Sequence, residues 1–292
     1  MIKMTSSKKR VLEIGLGIAN KTPFLKPLMQ KFYKIFMQKF YQTKPPEPKF
    51  SGWGMTTIAN NPWDDDFDLD VFRKSCESIT SFDFTPSCLP RMPIDEYVHS
   101  LDYRHYYISF CANYAIKFAQ TDYHNFVECG VNDGVTAFVA LNELHNKLGI
   151  NFKMDLYDSW EAMKAELLVG EEIDFNVGAY DDSSIEIPKS NLKSFENNIV
   201  YHKGFIPDTL FEKSPKQPES ISYLSIDLNS SQPTLSALNF FVPKLVKGGI
   251  IIFDDYGLEH YPDTKNVIDE FFSTKSGILM KMPTGQAIYF HQ

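Results

Sequence analysis

From residue 122 onwards, short apolar runs alternate with longer segments in which apolar residues recur every three or four positions. Apolar runs of about four to eight residues are typical of buried strands, and the longer period is typical of helices. Strands that alternate with helices predict a parallel sheet covered by helices on both faces. The predicted strands are Phe126–Val127, Phe152–Tyr157, Asn198–His202, Ser222–Asp227 and Ile250–Phe253.

Residues 1–120 follow a different pattern. Phe24–Tyr41 mixes basic and aromatic residues and predicts a basic amphipathic helix, and prolines at 45, 46 and 48 predict a linker after it. Residues 94–120 predict a helix whose large side chains pack against the sheet edge; these are Tyr97, Leu101, Tyr107, Phe110, Tyr114, Ile116 and Phe118. We therefore divide the chain into a basic leader with its linker (1–49), an aromatic-rich, mostly helical extension or lid (50–120) and an α/β domain (121–292).

Charge is distributed unevenly along the 292 residues. Residues 1–50 contain eleven lysines and arginines against two glutamates, a net charge of +9. Because the whole chain carries −8, the remainder carries −17. An acidic body argues against nucleic acid as a partner. The basic helix has two interpretations: it packs on the body or on a twin subunit of a homo-oligomer, or it docks on an anionic membrane surface or an acidic partner.

The apolar runs and cysteines bear on the cellular compartment. No apolar run reaches the roughly 18 residues that a membrane span requires. The four cysteines lack a C-x-x-C spacing, so neither a zinc site nor a redox pair is indicated. The chain is predicted to be cytoplasmic, and docking of the basic leader would make it peripheral at the inner membrane face.

The segment Asn125–Thr136 carries the first candidate site. A short strand ends at Glu128, Gly130 and Gly134 punctuate a loop, and a helical pattern follows. The looser glycine spacing does not match the Gly-x-Gly-x-x-Gly loop that binds a dinucleotide pyrophosphate. An acid before such a loop suits a cofactor without phosphate and with cationic groups, such as S-adenosylmethionine. Residues predicted to bind it are Glu128, Gly130, Asn132, Gly134, Asp158 and Ser159, with Asp158 at the next strand end placed for ribose hydroxyls.

Carboxylates follow the two strands predicted as neighbours, Ser222–Asp227 and Ile250–Phe253. Asp227 ends the first strand, and Asp254 and Asp255 end the second. Each acid alone also fits a helix cap or a solvated loop. Three carboxylates at one sheet edge repel one another unless a cation binds, and hard oxygen ligands suit Mg²⁺ or Ca²⁺.

The C-terminal segment changes the pattern again. Gly277–Met282 and Gln286–His291 flank a short Pro-Thr-Gly turn and predict an antiparallel hairpin. A parallel sheet that closes with such a hairpin is the layout of class I S-adenosylmethionine-dependent methyltransferases, whereas a dehydrogenase sheet finishes with parallel strands. The predicted fold is therefore an α/β, Rossmann-like, seven-stranded sheet of the class I type with a mostly helical N-terminal extension.

Five motifs in order resemble the macrocin O-methyltransferase family, bacterial enzymes that methylate sugar hydroxyls. They are Phe126–Gly134, Asp158-Ser-Trp, Gly204–Leu210, the strand ending in Asp227, and Lys244–Gly257. The resemblance covers about residues 120–292. It implies S-adenosylmethionine, Mg²⁺ held by Asp227, Asp254 and Asp255, and a small-molecule or glycan acceptor. It further implies Asp227 and Asp255 as catalytic residues, with Asp227 as the candidate base.

One difference from the family's sequence pattern is consistent with a second, non-catalytic function. The family reads Asp-Gly-Asp after the fourth strand, and this chain reads Asp227-Leu228-Asn229, so one acid is missing. A protein with the methyltransferase shape that binds without turnover is therefore the alternative. A nicotinamide-dependent enzyme is a third reading, against which the glycine spacing and the hairpin both count.

Overall fold

The structure, a computed structural model, describes residues 70–79, 101–259 and 261–292. The basic leader, its amphipathic helix Phe24–Tyr41 and most of the extension before residue 101 lie outside these ranges.

Helices and strands alternate through residues 124–291, as the apolar pattern predicts. The helices are α1 (Asp70–Ser78), α2 (Asp102–Phe118), α3 (Val135–Leu148), α4 (Glu172–Asn176), α5 (Glu186–Asn191), α6 (Ser231–Phe241) and α7 (Pro262–Phe272). The strands are β1 (His124–Cys129), β2 (Phe152–Asp158), β3 (Ile199–Lys203), β4 (Ile221–Ile226), β5 (Leu245–Phe253), β6 (Gly277–Lys281) and β7 (Ala287–His291).

The seven strands form one sheet in the order β3-β2-β1-β4-β5-β7-β6. The first five strands pair in parallel, while β7 pairs antiparallel with both β5 and β6. The predicted seven-stranded sheet with a C-terminal antiparallel hairpin is confirmed. Because β4 lies beside both β1 and β5, the residues after these three strands meet at one edge of the sheet.

Both faces of the central strands are buried. On one face Phe126 stacks on Tyr223, with ring centroids 4.6 Å apart. On the other, residues of β1, β4 and β5 pack with α6 and α7 into one apolar cluster that includes Val127, Leu224 and Ile268. Full burial of such a side chain contributes about 1.5–3 kcal/mol, so this layer holds the carboxyl ends of the strands firmly in place.

Helix α2 confirms the predicted helix over its described part but turns a different side to the sheet. Its buried residues are mostly small: His105, Ile108, Ser109, Cys111, Ala112 and Ala115. Phe110 and Phe118 are 37% and 50% exposed, so the prediction that they pack against the sheet is wrong. Tyr114 does contact the sheet, since its ring centroid lies 5.1 Å from that of Phe290 on β7, a strand that is not at the edge. Small residues let the helix approach the sheet closely, which large aromatic side chains on that side would prevent.

Helix α4 is fastened to the start of α6 by Glu172, which is fully buried. One Glu172 carboxylate oxygen accepts a hydrogen bond from the backbone N–H of Ser231 at 2.9 Å. The other accepts from the backbone N–H of Val169 at 3.1 Å and the Ser230 hydroxyl at 3.2 Å. A carboxylate at a helix N-terminus is favoured because free N–H groups and the helix dipole point at it. Residues 169–176 are thereby held over the loop that follows β4.

We expect Glu172→Gln to lower the free energy of unfolding by about 1–3 kcal/mol, because an amide N–H₂ would face backbone donors and leave buried groups unsatisfied. The matched control is Glu186→Gln, since the Glu186 side chain is 74% exposed and should change stability by less than about 0.5 kcal/mol. Urea unfolding of both variants measures this. Equal stability of the two variants would show that Glu172 does not fasten α4.

Candidate active site

The loop between β1 and α3 is built on left-handed backbone. Gly130, Asn132 and Gly134 have φ values of +87°, +50° and +84°. A Cβ atom on Gly130 would lie 1.7 Å from the carbonyl oxygen of Asp227, so only glycine fits there. The loop therefore lies directly against the end of β4.

Asp158 at the end of β2 fixes the shape of this loop. One of its carboxylate oxygens accepts the backbone N–H groups of Val131 and Asn132 at 2.8 and 2.9 Å. The other accepts the backbone N–H of Trp160 at 2.7 Å, and the Trp160 indole N–H donates to the Asn132 carbonyl at 3.0 Å. The sequence predicts a ribose contact for Asp158. In the structure its carboxylate also fixes the loop by accepting hydrogen bonds from backbone N–H groups.

A cleft opens beside the loop. It contains about 780 Å³ of empty space, a figure that includes open solvent at its mouth. Four predicted cofactor residues line it, namely Gly130, Asn132, Asp158 and Ser159, together with Asp227 from the metal and catalytic sets. Residues outside the predicted cofactor and metal sets also line it, including Glu161, Lys164, Tyr180, Phe205, Leu228 and Asn229. Lys164 lies over the Phe205 ring, with its Nζ 4.1 Å from the ring centroid.

Two predicted cofactor residues lie behind the cleft instead of lining it. Gly134 is the N-cap residue of α3, and a Cβ there would contact Leu192 at 3.1 Å. Glu128 is fully buried, and its Oε1 accepts the Thr136 hydroxyl at 2.5 Å. Its Oε2 has no hydrogen-bond partner within the described part of the chain. Burial raises the pKa of Glu128 to about 8, so a direct contact with a cationic group in the cleft is not what this geometry offers.

Asp227, Asp254 and Asp255 meet at the predicted edge of the sheet. One carboxylate oxygen from each lies within 4.8 Å of those from the other two. Burial, followed by repulsion from Asp254 and Asp255, raises the pKa of Asp227 well above its ordinary value. Burial and then Asp254 raise the pKa of Asp255 to about 7. These raised pKa values mean that the carboxyl groups resist ionisation. A bound cation would reduce the repulsion between the ionised carboxylates.

Comparison with known proteins agrees with this arrangement. Residues 127–256 match the family model described as a methyltransferase domain.

Solved structures share the fold of this chain at low sequence identity. The O-methyltransferase NovP is 20% identical over 65% of this chain and 79% of its own, with a TM-score of 0.53. The calicheamicin methyltransferase CalS11 is 14% identical over 82% of this chain and 98% of its own, with a TM-score of 0.50. No curated protein matches the chain. These likenesses show the class I methyltransferase fold.

Arg104 on α2 contacts the acidic cluster from outside the matched residues 127–256. Its guanidinium forms an ion pair with the Asp254 carboxylate and donates to the backbone carbonyls of Asp254 and Thr284 at 2.9 and 2.6 Å. The Gln286 amide donates to the other Asp254 carboxylate oxygen at 2.8 Å. Both oxygens of Asp254 are thus oriented by donors, one from α2 and one from the hairpin turn. No sequence spacing pointed to Arg104 or Gln286.

Replacing Glu128 with glutamine should reduce the dependence of the free energy of unfolding on pH. The unfolded chain releases this proton near pH 4.5, whereas the folded protein keeps it until about pH 8. Between these values the folded state binds more protons, so its stability falls as pH rises. We expect Glu128→Gln to be more stable than the wild type at pH 8, by about 1–3 kcal/mol, and nearly unchanged at pH 4.5.

Urea unfolding at the two pH values measures this effect, with the exposed Glu212→Gln as control. If the free energy of unfolding depended on pH equally in the wild type and both variants, Glu128 would not be a buried, protonated residue in the folded protein.

Within the described ranges, no helix is long and apolar enough to cross a membrane.

Proposed function

We propose that this protein is an S-adenosylmethionine-dependent O-methyltransferase that uses a divalent cation, Mg²⁺ for example, to methylate a hydroxyl of a sugar or glycoconjugate. The observation that carries the proposal is the cluster of Asp227, Asp254 and Asp255 at the same strand ends as the cofactor cleft of a methyltransferase domain.

The cleft has the features that S-adenosylmethionine requires. Gly130 brings bare backbone to the cleft wall, and Asn132 and Ser159 add polar groups beside it. Phe205 and Ile206 give the far wall an apolar surface suited to an adenine ring. In this proposal Gly130, Asn132, Asp158 and Ser159 contact the cofactor, while Glu128 and Gly134 support the loop from behind. When bound, S-adenosylmethionine supplies the methyl group as an electrophile on sulfur.

The acidic cluster has the chemistry of a hard-cation site. It offers carboxylate oxygens only, and Arg104 supplies one positive charge, which leaves a net charge of −2 when all three acids are ionised. A divalent cation would therefore bring the site to neutrality. Such a cation lowers the pKa of a hydroxyl held beside it, which is the chemistry that an O-methyltransferase needs.

Asp227 is the residue we assign as general base. It belongs to both the cluster and the cleft lining, which is where a base would have to lie to serve an acceptor held beside the cofactor. Asp255 is the second catalytic residue, with one oxygen fixed by the backbone N–H of Asn229 at 2.8 Å. In the proposed reaction the acceptor hydroxyl would give its proton to Asp227, its oxygen would bond to the methyl carbon, and the carbon–sulfur bond would break to release S-adenosylhomocysteine.

The acceptor class rests on neutral polar groups beside the cluster. Asn229 lies in the cleft lining, and Asn176 and Tyr261 bond to it. Amide and hydroxyl groups suit recognition of a polyhydroxylated molecule, and the sequence resemblance to macrocin O-methyltransferases also favours a sugar.

The test is transfer of a labelled methyl group to a panel of glycosides with adjacent hydroxyls, in Mg²⁺ or in EDTA. We expect a labelled methyl ether on at least one glycoside in Mg²⁺ and at least about 100-fold less product in EDTA. Product formation that is equal in EDTA would contradict the role of the cation.

The non-catalytic alternative is favoured by one observation, the amide of Asn229 in place of an acid. It predicts that S-adenosylhomocysteine binds while no glycoside in the panel is methylated. The domain limits at residues 49 and 120, the cytoplasmic location, the homo-oligomer and the contact of the leader with an anionic membrane stay predictions from the sequence.

A further inference from the structure

Asn229 follows Asp227 by two residues and has a left-handed backbone, with φ of +51°. Asparagine tolerates this conformation better than most residues. Its backbone N–H donates to Asp255, and its side-chain Nδ2 lies 3.2 Å from Asp227 Oδ1. The residue therefore contacts two of the three carboxylates, and its amide offers a hydrogen-bond donor to Asp227.

Tyr261 decides which end of that amide faces Asp227. Its hydroxyl lies 2.9 Å from Asn229 Oδ1 and 3.2 Å from Asn176 Oδ1. The Asn176 amide is itself oriented, because its Nδ2 donates to the Asn229 carbonyl at 2.8 Å. A tyrosine hydroxyl has one hydrogen, and the shorter distance assigns it to Asn229. With Oδ1 occupied by Tyr261, Nδ2 has to point at Asp227.

We propose that Tyr261 is a positioning residue that acts through Asn229 to orient the Asp227 carboxylate for cation binding. This inference rests on the proposed function. An amide has the same shape as the missing acid but can present either oxygen or N–H₂, so a partner is needed to fix its orientation. Tyr261, on the segment after β5, and Asn176, on α4, supply that partner from two different parts of the chain.

Loss of the hydroxyl in Tyr261→Phe should weaken Mn²⁺ binding by about tenfold, because outer partners of metal ligands typically contribute 10- to 100-fold to affinity. Free Mn²⁺ measured by electron paramagnetic resonance gives the dissociation constant without any acceptor. S-adenosylhomocysteine affinity should stay within about twofold of the wild type.

Tyr256→Phe is the matched control. Tyr256 lies on the same segment, but its hydroxyl bonds Asp269 at 2.5 Å, a residue outside the acidic cluster. This variant should keep wild-type Mn²⁺ affinity even if its melting temperature falls as much as that of Tyr261→Phe.

Asn229→Ala and the double variant test whether Tyr261 acts through Asn229. We expect Asn229→Ala to weaken Mn²⁺ binding by about tenfold and the double variant to be no weaker than Asn229→Ala alone. Additive losses, or wild-type Mn²⁺ affinity in Tyr261→Phe, would overturn this inference and leave the proposed function intact. Failure of the wild-type protein to bind Mn²⁺ at all would overturn both.

Discussion

Asp227→Asn is expected to abolish detectable methyl transfer and to weaken divalent-cation binding by at least about 100-fold. A positioned general base contributes roughly 10²- to 10⁴-fold, and loss of a direct carboxylate ligand should cost more than the 10- to 100-fold of an outer partner. The exchange preserves shape, and the new amide oxygen can still accept from Asn229 Nδ2, which lies 3.2 Å from Asp227 Oδ1 in the wild type.

Two further readouts make this expectation specific to the cluster. S-adenosylhomocysteine affinity should change by less than about threefold, because the backbone of the cofactor loop is untouched. The melting temperature should not fall, since one of three mutually repelling carboxylates has been neutralised. Asp269→Asn is the control, because that carboxylate bonds Tyr256 and Lys265 and lies outside the cluster. Unchanged Mn²⁺ affinity in Asp227→Asn would remove Asp227 from the cation site.

Gly130→Ala should lower the free energy of unfolding by more than about 4 kcal/mol or prevent folding altogether. The new methyl would lie 1.7 Å from the Asp227 carbonyl oxygen. Neither segment can move aside easily, because the Asp227 N–H donates to the Cys129 carbonyl at 2.8 Å and the Gly130 N–H donates to the Tyr157 carbonyl at 2.9 Å. The clash therefore disrupts the carboxyl ends of three adjacent strands.

Gly149→Ala is the control that measures the cost of backbone strain without a steric clash. Gly149 also has positive φ, at +62°, but a Cβ there meets no heavy atom within 4 Å. Strain alone should cost about 1–2 kcal/mol. Urea unfolding of both variants, with S-adenosylhomocysteine titration of any folded sample, gives the comparison. Similar losses in the two variants would contradict the close approach of the loop to β4.

The sheet and its acidic edge were predictable because they depend on local pattern and general topology. The changing spacing of apolar residues along the chain predicts the strands and helices. Neighbouring parallel strands then bring their carboxyl ends together. The positions of Gly130, Asp227, Asp254 and Asp255 follow from these two facts alone. Motif order gave the same result independently.

The surroundings of the cluster were not predictable, because they depend on contacts between distant segments. Arg104 contacts Asp254, 150 residues further along the chain, and nothing in its local sequence indicates that contact. The contact between Tyr261 and Asn229 also depends on how the segment after β5 folds back. Glu128 was assigned to the cofactor from its position at a strand end, but position does not reveal whether a side chain turns into the cleft or into the core. The aromatic residues of α2 gave a wrong prediction for a similar reason. Large apolar side chains suggest burial, but the side of α2 that packs closely against the sheet carries the small residues Ala112 and Ala115.

The most direct test of the central claim is calorimetric titration of the purified protein with S-adenosylhomocysteine, with and without Mg²⁺. We predict micromolar binding in both conditions, because among the described residues Asp227 lines the cleft, while Asp254 and Asp255 do not. Absence of binding in both conditions, from a sample shown to be folded, would contradict the methyltransferase function.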